Sequence, residues 1–242
     1  MSESLRSLTC ISYDNRKLTT TFSVGQALYQ SLELPWPTSP AKEAFPILIY
    51  GASSATGALA VQFAKLSRLT VLATASTHNF DYVKSLGADQ VFDYKSPTCA
   101  EDIKKAANNQ LKYAMDCISE GTSPKISVEA MSGEGGLYTN LLNLTTDKIA
   151  EYNSAIEARA TLAYTIIGER FLFGKQEMPA KPEDEEFAKK FWALSRDLLA
   201  EGKIKVHKPS VNKYGNGLEG VLKGLDAMKE GKVSGEKLVF TL

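Results

Sequence analysis

Residues 46–57 read PILIYGASSATG, and this stretch is the strongest indication of fold in the 242-residue chain. It begins with a continuous apolar run, which is typical of a strand buried on both faces of a parallel sheet. A loop of small residues follows, and Leu59, Phe63 and Leu66 then recur at helical spacing among alanines. The stretch therefore predicts a buried strand, a tight loop and a slim helix that lies close to a sheet.

The same alternation of strand and helix continues downstream. Strands are predicted at Leu69–Ala73, Gln90–Tyr94, 112–118 and 136–142, with helices at Asn79–Leu86, 100–109 and 124–131. Short connections between them indicate a parallel sheet with helices on both faces, because each parallel step needs a right-handed crossover. The predicted fold class is therefore α/β, with a doubly wound parallel sheet.

The C-terminal third of the chain is less regular. It is predicted to hold a strand at 160–167, a polar surface loop at 178–186, helices at 183–201 and 218–228 and a terminal strand at 236–242. Gly202 and Gly231 are the expected helix stops. Both helices are amphipathic, so each is expected to pack through its apolar face.

Composition limits the partners and the location. Lys and Arg number 28, as do Asp and Glu, so no net field exists to hold nucleic acid or an acidic membrane. Cys10, Cys99 and Cys117 are too widely spaced for a disulfide framework or a metal site. No secretion segment opens the chain, and no stretch approaches the roughly 20 apolar residues of a membrane span. A cytoplasmic location is therefore expected.

The loop at 50–57 is a candidate phosphate site. It lies where backbone N–H groups and the dipole of the next helix receive a pyrophosphate. The loop departs from G-x-G-x-x-G, because Ser53 takes the second glycine position and Gly57 lies one residue late. A tight strand-to-helix turn also uses small residues for structural reasons alone, and that alternative stays open.

The end of the second strand indicates which nucleotide fits. Residues 74–79 read TASTHN, and no carboxylate occurs before Asp81, whereas NAD-preferring proteins place one here on the ribose 2′-hydroxyl. Hydroxyl, amide and imidazole groups, with Lys84 one turn beyond, accept a 2′-phosphate without like-charge repulsion. NADP(H) is therefore the predicted cofactor. Capping of the following helix by Ser76 or Thr77 is an open second role.

Hydrolytic and metal chemistry find no support. The two histidines, His78 and His207, lie in no motif of nucleophilic catalysis, and we expect His207 to end a surface strand. Asp116 and Glu120 flank Cys117 without metal-ligand spacing. We therefore predict no metal site and assign no catalytic residue.

Four segments carry a resemblance to a known family. They read ILIYGASSATGALAVQFAKL, VLATASTHNFDYVKSLGADQVFDY, KYAMDCIS and GKVSGEKLVF. In order and spacing they resemble the fungal trans-acting enoyl reductases, zinc-free members of the medium-chain dehydrogenase/reductase superfamily that work beside polyketide synthases. The resemblance extends from about Thr21 to the C-terminus. It implies a Rossmann-like domain and NADPH-dependent reduction of an α,β-unsaturated polyketide thioester.

The resemblance also assigns site residues by motif position. Those at the cofactor are Ser53, Ser54, Ala55 and Thr56 at the pyrophosphate with Gly51 in the same loop, Ser76, His78 and Asn79 at the 2′-phosphate, Tyr94 as a further contact, Leu141 and Leu142 beside the nicotinamide, and Val233 and Ser234 closing over it. Those at the acyl pocket are Leu162, Ala163, Tyr164, Thr165 and Ile166. Core packing is an equally open role for Leu141, Leu142 and Leu162.

Family members begin with a GroES-like β-barrel catalytic domain, whereas only 45 residues precede Pro46 here. A truncated relative that lacks most of the barrel is therefore expected. The predicted divisions are an unassigned segment at 1–20, a dinucleotide-binding domain at 21–205, and a helix and strand at 206–242 that in the family return to the catalytic domain.

Two functions stay open at this stage. The phosphate motifs favour an NADPH-dependent enoyl reductase that acts on a small-molecule or carrier-bound polyketide beside a polyketide synthase. The missing barrel favours a repurposed scaffold with a non-redox role, such as a cyclase, an isomerase or a non-catalytic accessory protein. An unprotected edge on the terminal strand predicts a homodimer or a covering partner.

Overall fold

Six parallel strands form the central sheet of the computed structural model, which describes residues 20–242. The strands are β1 (Pro46–Tyr50), β2 (Thr70–Ala75), β3 (Gln90–Asp93), β4 (Tyr113–Asp116), β5 (Gly136–Asn140) and β6 (Ile156–Ala160). Their order is β3-β2-β1-β4-β5-β6, and every neighbouring pair is parallel. This order confirms the predicted doubly wound class, and the direction in which successive strands are added to the sheet reverses between β1 and β4. Cys10 lies outside the described residues.

Helices cover both faces of this sheet. They are α1 (20–31, π-helical over Gln26–Ser31), α2 (Ala55–Leu66), α3 (Phe80–Ser85), α4 (Cys99–Ala106), α5 (Ser123–Glu129), α6 (Thr146–Ala150) and α7 (Pro182–Ala200). Ile47 and Ile49 of β1 face the core beneath α1, α2, α3 and α7, whereas Leu48 faces the core beneath α4, α5 and α6. Strands buried on both faces explain the apolar runs that predicted them. No helix within the described range is long and apolar enough to cross a membrane.

The strand predicted at 160–167 is wrong. The sheet ends at Ala160, which pairs with Asn140, and residues Ala163–Ile167 form a 3-10 helix. The Thr165 hydroxyl holds this turn, since it donates to the Leu162 carbonyl at 3.1 Å and accepts from the Gln26 amide at 3.0 Å. Contacts to α1 thus override the β propensity of the segment.

The loop predicted at 178–186 is correct only in its first half. Helix α7 begins at Pro182, where a missing N–H costs nothing because the first helical amide has no partner. Three acidic residues, Glu183, Asp184 and Glu185, lie in the first turn and interact favourably with the helix dipole. The polar composition that indicated a loop is therefore a helix N-terminus.

A small C-terminal unit holds the remaining helix, α8 (Gly217–Lys229), and two short strand pairs complete the fold. Strands β9 (Pro209–Val211) and β10 (Lys237–Val239) pair in parallel, so the predicted terminal strand forms over a shorter range. An antiparallel hairpin of β7 (Phe171–Phe173) and β8 (Gln176–Met178) was not predicted. The division of the chain at 205 stays a prediction.

The packing expected for α8 is wrong. Its large apolar side chains point to solvent, with Leu218 74% and Leu222 63% exposed, and its buried face consists of Gly220, Gly224 and Ala227. A Cβ on Gly224 would lie 2.4 Å from Phe240, so the helix approaches β10 through its small residues. Amphipathic spacing located the helix correctly but assigned the wrong face to the interior.

This arrangement makes two neighbouring substitutions differ in effect. A Cβ at Gly220 would lie 2.2 Å from the backbone oxygen of Gly215, so Gly220→Ala should cost about 1–3 kcal/mol of strain and outweigh a helix-propensity gain of about 1 kcal/mol. Leu222→Lys should stay within about 0.5 kcal/mol of the parent, because that side chain is exposed. Hydrogen exchange of the amides at 217–229 measures both, and equal protection in the two variants would contradict the assigned faces.

Candidate nucleotide site

A cleft of about 820 Å³ opens at the carboxyl ends of the strands, beside the reversal between β1 and β4. Ligands of doubly wound folds bind at this point. Four segments line the cleft: the loop after β1, the ends of β2 and β3, the loop after β4, and residues 233–238. A smaller apolar cavity of about 100 Å³ adjoins it and shares Ala55, His207 and Lys237.

The loop after β1 is held rigidly by β2. The Gly51 N–H donates to the Thr74 hydroxyl at 3.0 Å, and the Ala52 N–H donates to the Thr74 carbonyl at 2.9 Å. Gly51 has a φ of +75°, a conformation that side-chain-bearing residues rarely adopt. A Cβ on Gly57 would lie 2.3 Å from the Gly51 oxygen, so α2 lies against the loop as closely as a glycine permits.

Three N–H groups of this loop are left without a partner among residues 20–242. Ser54 caps α2, since its hydroxyl accepts the Gly57 N–H at 3.0 Å, and its own N–H donates to the Gly51 carbonyl. The unpaired donors belong to Ser53, Ala55 and Thr56. Together with the positive end of a 12-residue helix they form a site for an anion, as the sequence predicted. Ser53, Ser54 and Ala55 line the cleft and Thr56 does not.

A second polar group lies at the end of β2. The Asn79 side-chain amide donates to the Ser234 hydroxyl at 2.9 Å, and His78 Nε2 lies 3.0 Å from the same oxygen. The Ser76 hydroxyl lies 3.4 Å from the Tyr94 hydroxyl, to which it donates. The structure therefore brings together the residues predicted at the 2′-phosphate, Tyr94 and Ser234. Val233, Ser234, Ser76 and Tyr94 line the cleft, and His78 and Asn79 reach it through Ser234.

The alternative role of Ser76 as a cap is not realised. Ser76 precedes the 3-10 turn Thr77–Asn79, but its side chain makes no capping hydrogen bond. Asn79, which precedes α3, makes none either. The hydroxyl of Ser76 is directed to Tyr94 instead, at the edge of the cleft.

The residues predicted beside the nicotinamide and acyl chain do not line this cleft. Leu141 is half-buried and Leu142 is 55% exposed, so neither packs in the core. Among residues 162–166, Ala163 and Ile166 pack near Phe22, Thr165 is buried, and Tyr164 is 52% exposed. Their proposed ligand roles stay predictions.

His207 differs from the expectation of a strand end on the surface. It precedes β9, is half-buried, and lines the cleft. Its Nδ1 lies 2.9 Å from the Tyr82 hydroxyl, and burial lowers its pKa below the usual value of 6.5. The ring therefore fixes the segment before β9 against α3.

The organisation of the loop after β4 was not predicted from the sequence. Asp116 is fully buried and binds two backbone amides and two hydroxyls, although the sequence analysis considered it only as a metal ligand. Burial raises the pKa of its carboxyl, and the hydrogen bonds from Ser123 and the loop amides oppose that rise. A carboxylate within the strand predicted at 112–118 was the available signal. No group of three or more metal-binding side chains occurs within residues 20–242.

Residues 55–142 match the family model described as zinc-binding dehydrogenase. Trans-enoyl reductase ACTTS2 of Alternaria alternata is 46% identical over 220 residues, which cover 91% of this chain and 62% of that protein. The dual trans-enoyl reductase/FAD-dependent monooxygenase tazHJ of Aspergillus terreus is 49% identical over 212 residues, covering 87% of this chain and 29% of that protein.

Solved structures show the same fold. Escherichia coli quinone oxidoreductase complexed with NADPH superposes with a TM-score of 0.67 at 15% identity, covering 91% of this chain and 62% of that one. The CurK enoyl reductase superposes with a TM-score of 0.65 at 15% identity, covering 91% and 60%. This chain spans about three fifths of the length of several of these trans-enoyl reductases. Over about nine tenths of its own length, the chain is similar to fungal trans-enoyl reductases.

Proposed function

We propose that this chain binds NADPH in the cleft and serves in an enoyl reductase that reduces the α,β-unsaturated thioester of a polyketide. One observation carries the proposal: the cleft joins an anion site at the start of α2 to a polar group at the end of β2. A dinucleotide that carries a pyrophosphate and a 2′-phosphate supplies an anion for each of these two points. The names of the matched relatives support the reaction class.

The residues present fit NADPH better than NADH. No carboxylate occurs at 74–79, where NAD-binding proteins place one on the 2′-hydroxyl. Ser76, His78, Asn79 and Ser234 offer hydroxyl, imidazole and amide donors there. Each hydrogen bond to a charged phosphate contributes about 1.5–3 kcal/mol, which corresponds to roughly 10–100-fold in affinity.

The position of the anion site indicates where the nicotinamide half of the dinucleotide would lie. With the pyrophosphate at the start of α2, the second nucleotide half extends across β1 toward the ends of β4 and β5. When bound, the nicotinamide would supply a hydride to the β-carbon of the enoyl thioester. Ile118 forms a wall of the cleft above Gly51, and residues 233–235 line the same cleft beside Asn79.

Titration of the purified chain with NADPH and NADH, followed by nicotinamide fluorescence, tests the cofactor half of the proposal. NADPH is expected to bind roughly 10–100-fold more tightly than NADH. Addition of crotonyl-pantetheine to the complex tests the reaction, with loss of NADPH absorbance as the expected result. Binding without oxidation would reject reductase activity for this chain alone. Absence of binding would reject both halves and favour the non-redox alternative, a cofactor-free conversion in the groove.

We further propose that the substrate reaches the chain from a polyketide synthase, as the trans-acting character of its relatives suggests. A homodimer also stays a prediction. In the structure one edge of β10 is paired with β9, so only the other edge of the terminal strand is open among the described residues.

A further inference from the structure

Asp116 is the last residue of β4, and its carboxylate is completely buried. Both of its oxygens accept hydrogen bonds. One oxygen accepts the N–H groups of Ile118 at 2.9 Å and Ser119 at 2.8 Å. The other accepts the hydroxyls of Ser123 at 2.6 Å and Tyr138 at 2.9 Å. None of the cationic side chains at 20–242 forms an ion pair with it. Four donors that converge on one group match an ionised carboxylate, which only accepts.

These four bonds fix the wall of the cleft that follows β4. Ile118 lies above Gly51, where an added Cβ would be 2.7 Å from its Cγ1 atom. Glu120, Gly121, Thr122 and Ser123 line the same cleft. The Glu120 N–H donates to the Ser123 hydroxyl at 3.2 Å, so the bond from Ser123 to Asp116 holds both ends of the turn.

The network also reaches the loop after β5. The Ser119 hydroxyl donates to the Asp116 carbonyl at 2.9 Å and accepts the Leu141 N–H at 2.9 Å. Tyr138, another partner of the carboxylate, lies on β5 itself. One buried acid thus joins the ends of the two strands toward which the second nucleotide half extends.

A contribution to folding stability does not explain this buried acid. Burial of a carboxylate without a cation costs several kcal/mol, and replacement by an apolar residue of the same shape often leaves the free energy of unfolding unchanged or raises it. We infer that Asp116 is a positioning residue, which sets the walls at 117–123 and 141 for the reacting half of the cofactor. The inference rests on the proposed function. It predicts an effect mainly on turnover, because none of the four hydrogen bonds to Asp116 comes from the anion site at α2 or from the polar group at β2.

Asp116→Leu, which keeps the shape and removes the acceptors, tests the role. We expect turnover to fall about 100-fold, as misplacement by about 1 Å produces, while the NADPH dissociation constant changes less than about 3-fold. Amides at 117–123 should exchange faster with solvent deuterium. Asp116→Asn should restore turnover to within about 5-fold, because its amide donates to hydroxyls that rotate to accept. Unchanged turnover and exchange in Asp116→Leu would overturn the inference.

Ser119→Ala tests the role if Asp116→Leu fails to fold. It removes the hydrogen bond from the Leu141 N–H to the Ser119 hydroxyl and keeps the hydrogen bond from the residue 119 N–H to the Asp116 carboxylate. Lower turnover with unchanged NADPH affinity, together with faster hydrogen exchange of the amides at 141–144, would support the positioning role. Turnover and exchange rates equal to those of the parent would overturn it. If the parent chain binds NADPH but shows no turnover, reductase activity of this chain alone is rejected, and the exchange measurements still decide whether the network holds these walls. Equal loss of NADPH affinity and turnover would identify a merely structural residue.

Discussion

Gly57→Ala is expected to abolish NADPH binding and to destabilise the chain. The added Cβ would lie 2.3 Å from the Gly51 oxygen and 2.7 Å from the Ala52 Cα, and neither backbone atom moves freely, because Thr74 holds both residues. The start of α2 or the loop must shift. We expect the free energy of unfolding to fall by about 3 kcal/mol. Loss of two amide bonds to the pyrophosphate weakens binding more than about 100-fold.

Gly133→Ala is the matched control for this effect, since no atom lies within 4 Å of its added Cβ. Its stability should stay within about 0.5 kcal/mol of the parent, and its NADPH affinity should be unchanged. Urea denaturation and fluorescence titration measure the two quantities. A Gly57→Ala protein that unfolds and binds like the control would show that the loop adjusts without cost, and the anion site would lose its main geometric support.

The sequence predicted those parts of the molecule in which local pattern and tertiary structure agree. The apolar run at Pro46–Tyr50 is buried on both faces, so its composition and its environment match. The glycine loop was also predictable, because a strand, small residues and a helix in this order leave few backbone arrangements. Ser76, His78, Asn79 and Tyr94 meet at one edge because parallel strands place their carboxyl ends together.

Other features depend on contacts that no local pattern encodes. The segment Ala163–Ile167 has strand-forming residues, but Gln26 of α1 binds Thr165 and the sheet ends before it. The spacing of Leu218 and Leu222 indicates a helix without indicating which face is covered. Asp116 has one partner, Tyr138, 22 residues away on β5, so the network cannot be recognised until the strands are placed side by side. Interior and partner-facing surfaces share the same apolar periodicity.

Ser76→Glu is expected to reverse the preference between NADPH and NADH. The new carboxylate would stand at the end of β2, beside Tyr94 and at the edge of the cleft, where we place the 2′-phosphate. At about 4 Å and an effective dielectric constant of about 20, two like charges repel by roughly 4 kcal/mol, which corresponds to several hundredfold in NADPH affinity before screening by salt. NADH affinity should hold or rise, because the carboxylate accepts the ribose 2′-hydroxyl.

Thr77→Glu supplies the matched control, since it adds the same charge one residue further on, at an exposed position that does not line the cleft. It should weaken NADPH binding only a few-fold, and less at high salt. Asn79→Asp should resemble Ser76→Glu, because it replaces the amide that donates to Ser234 with a second acceptor. Titration of all three variants with both nucleotides separates a local contact from a general charge effect. If Ser76→Glu and Thr77→Glu both prefer NADPH over NADH as strongly as the parent does, the 2′-phosphate does not lie at the end of β2. The assignment of NADPH then loses its structural basis.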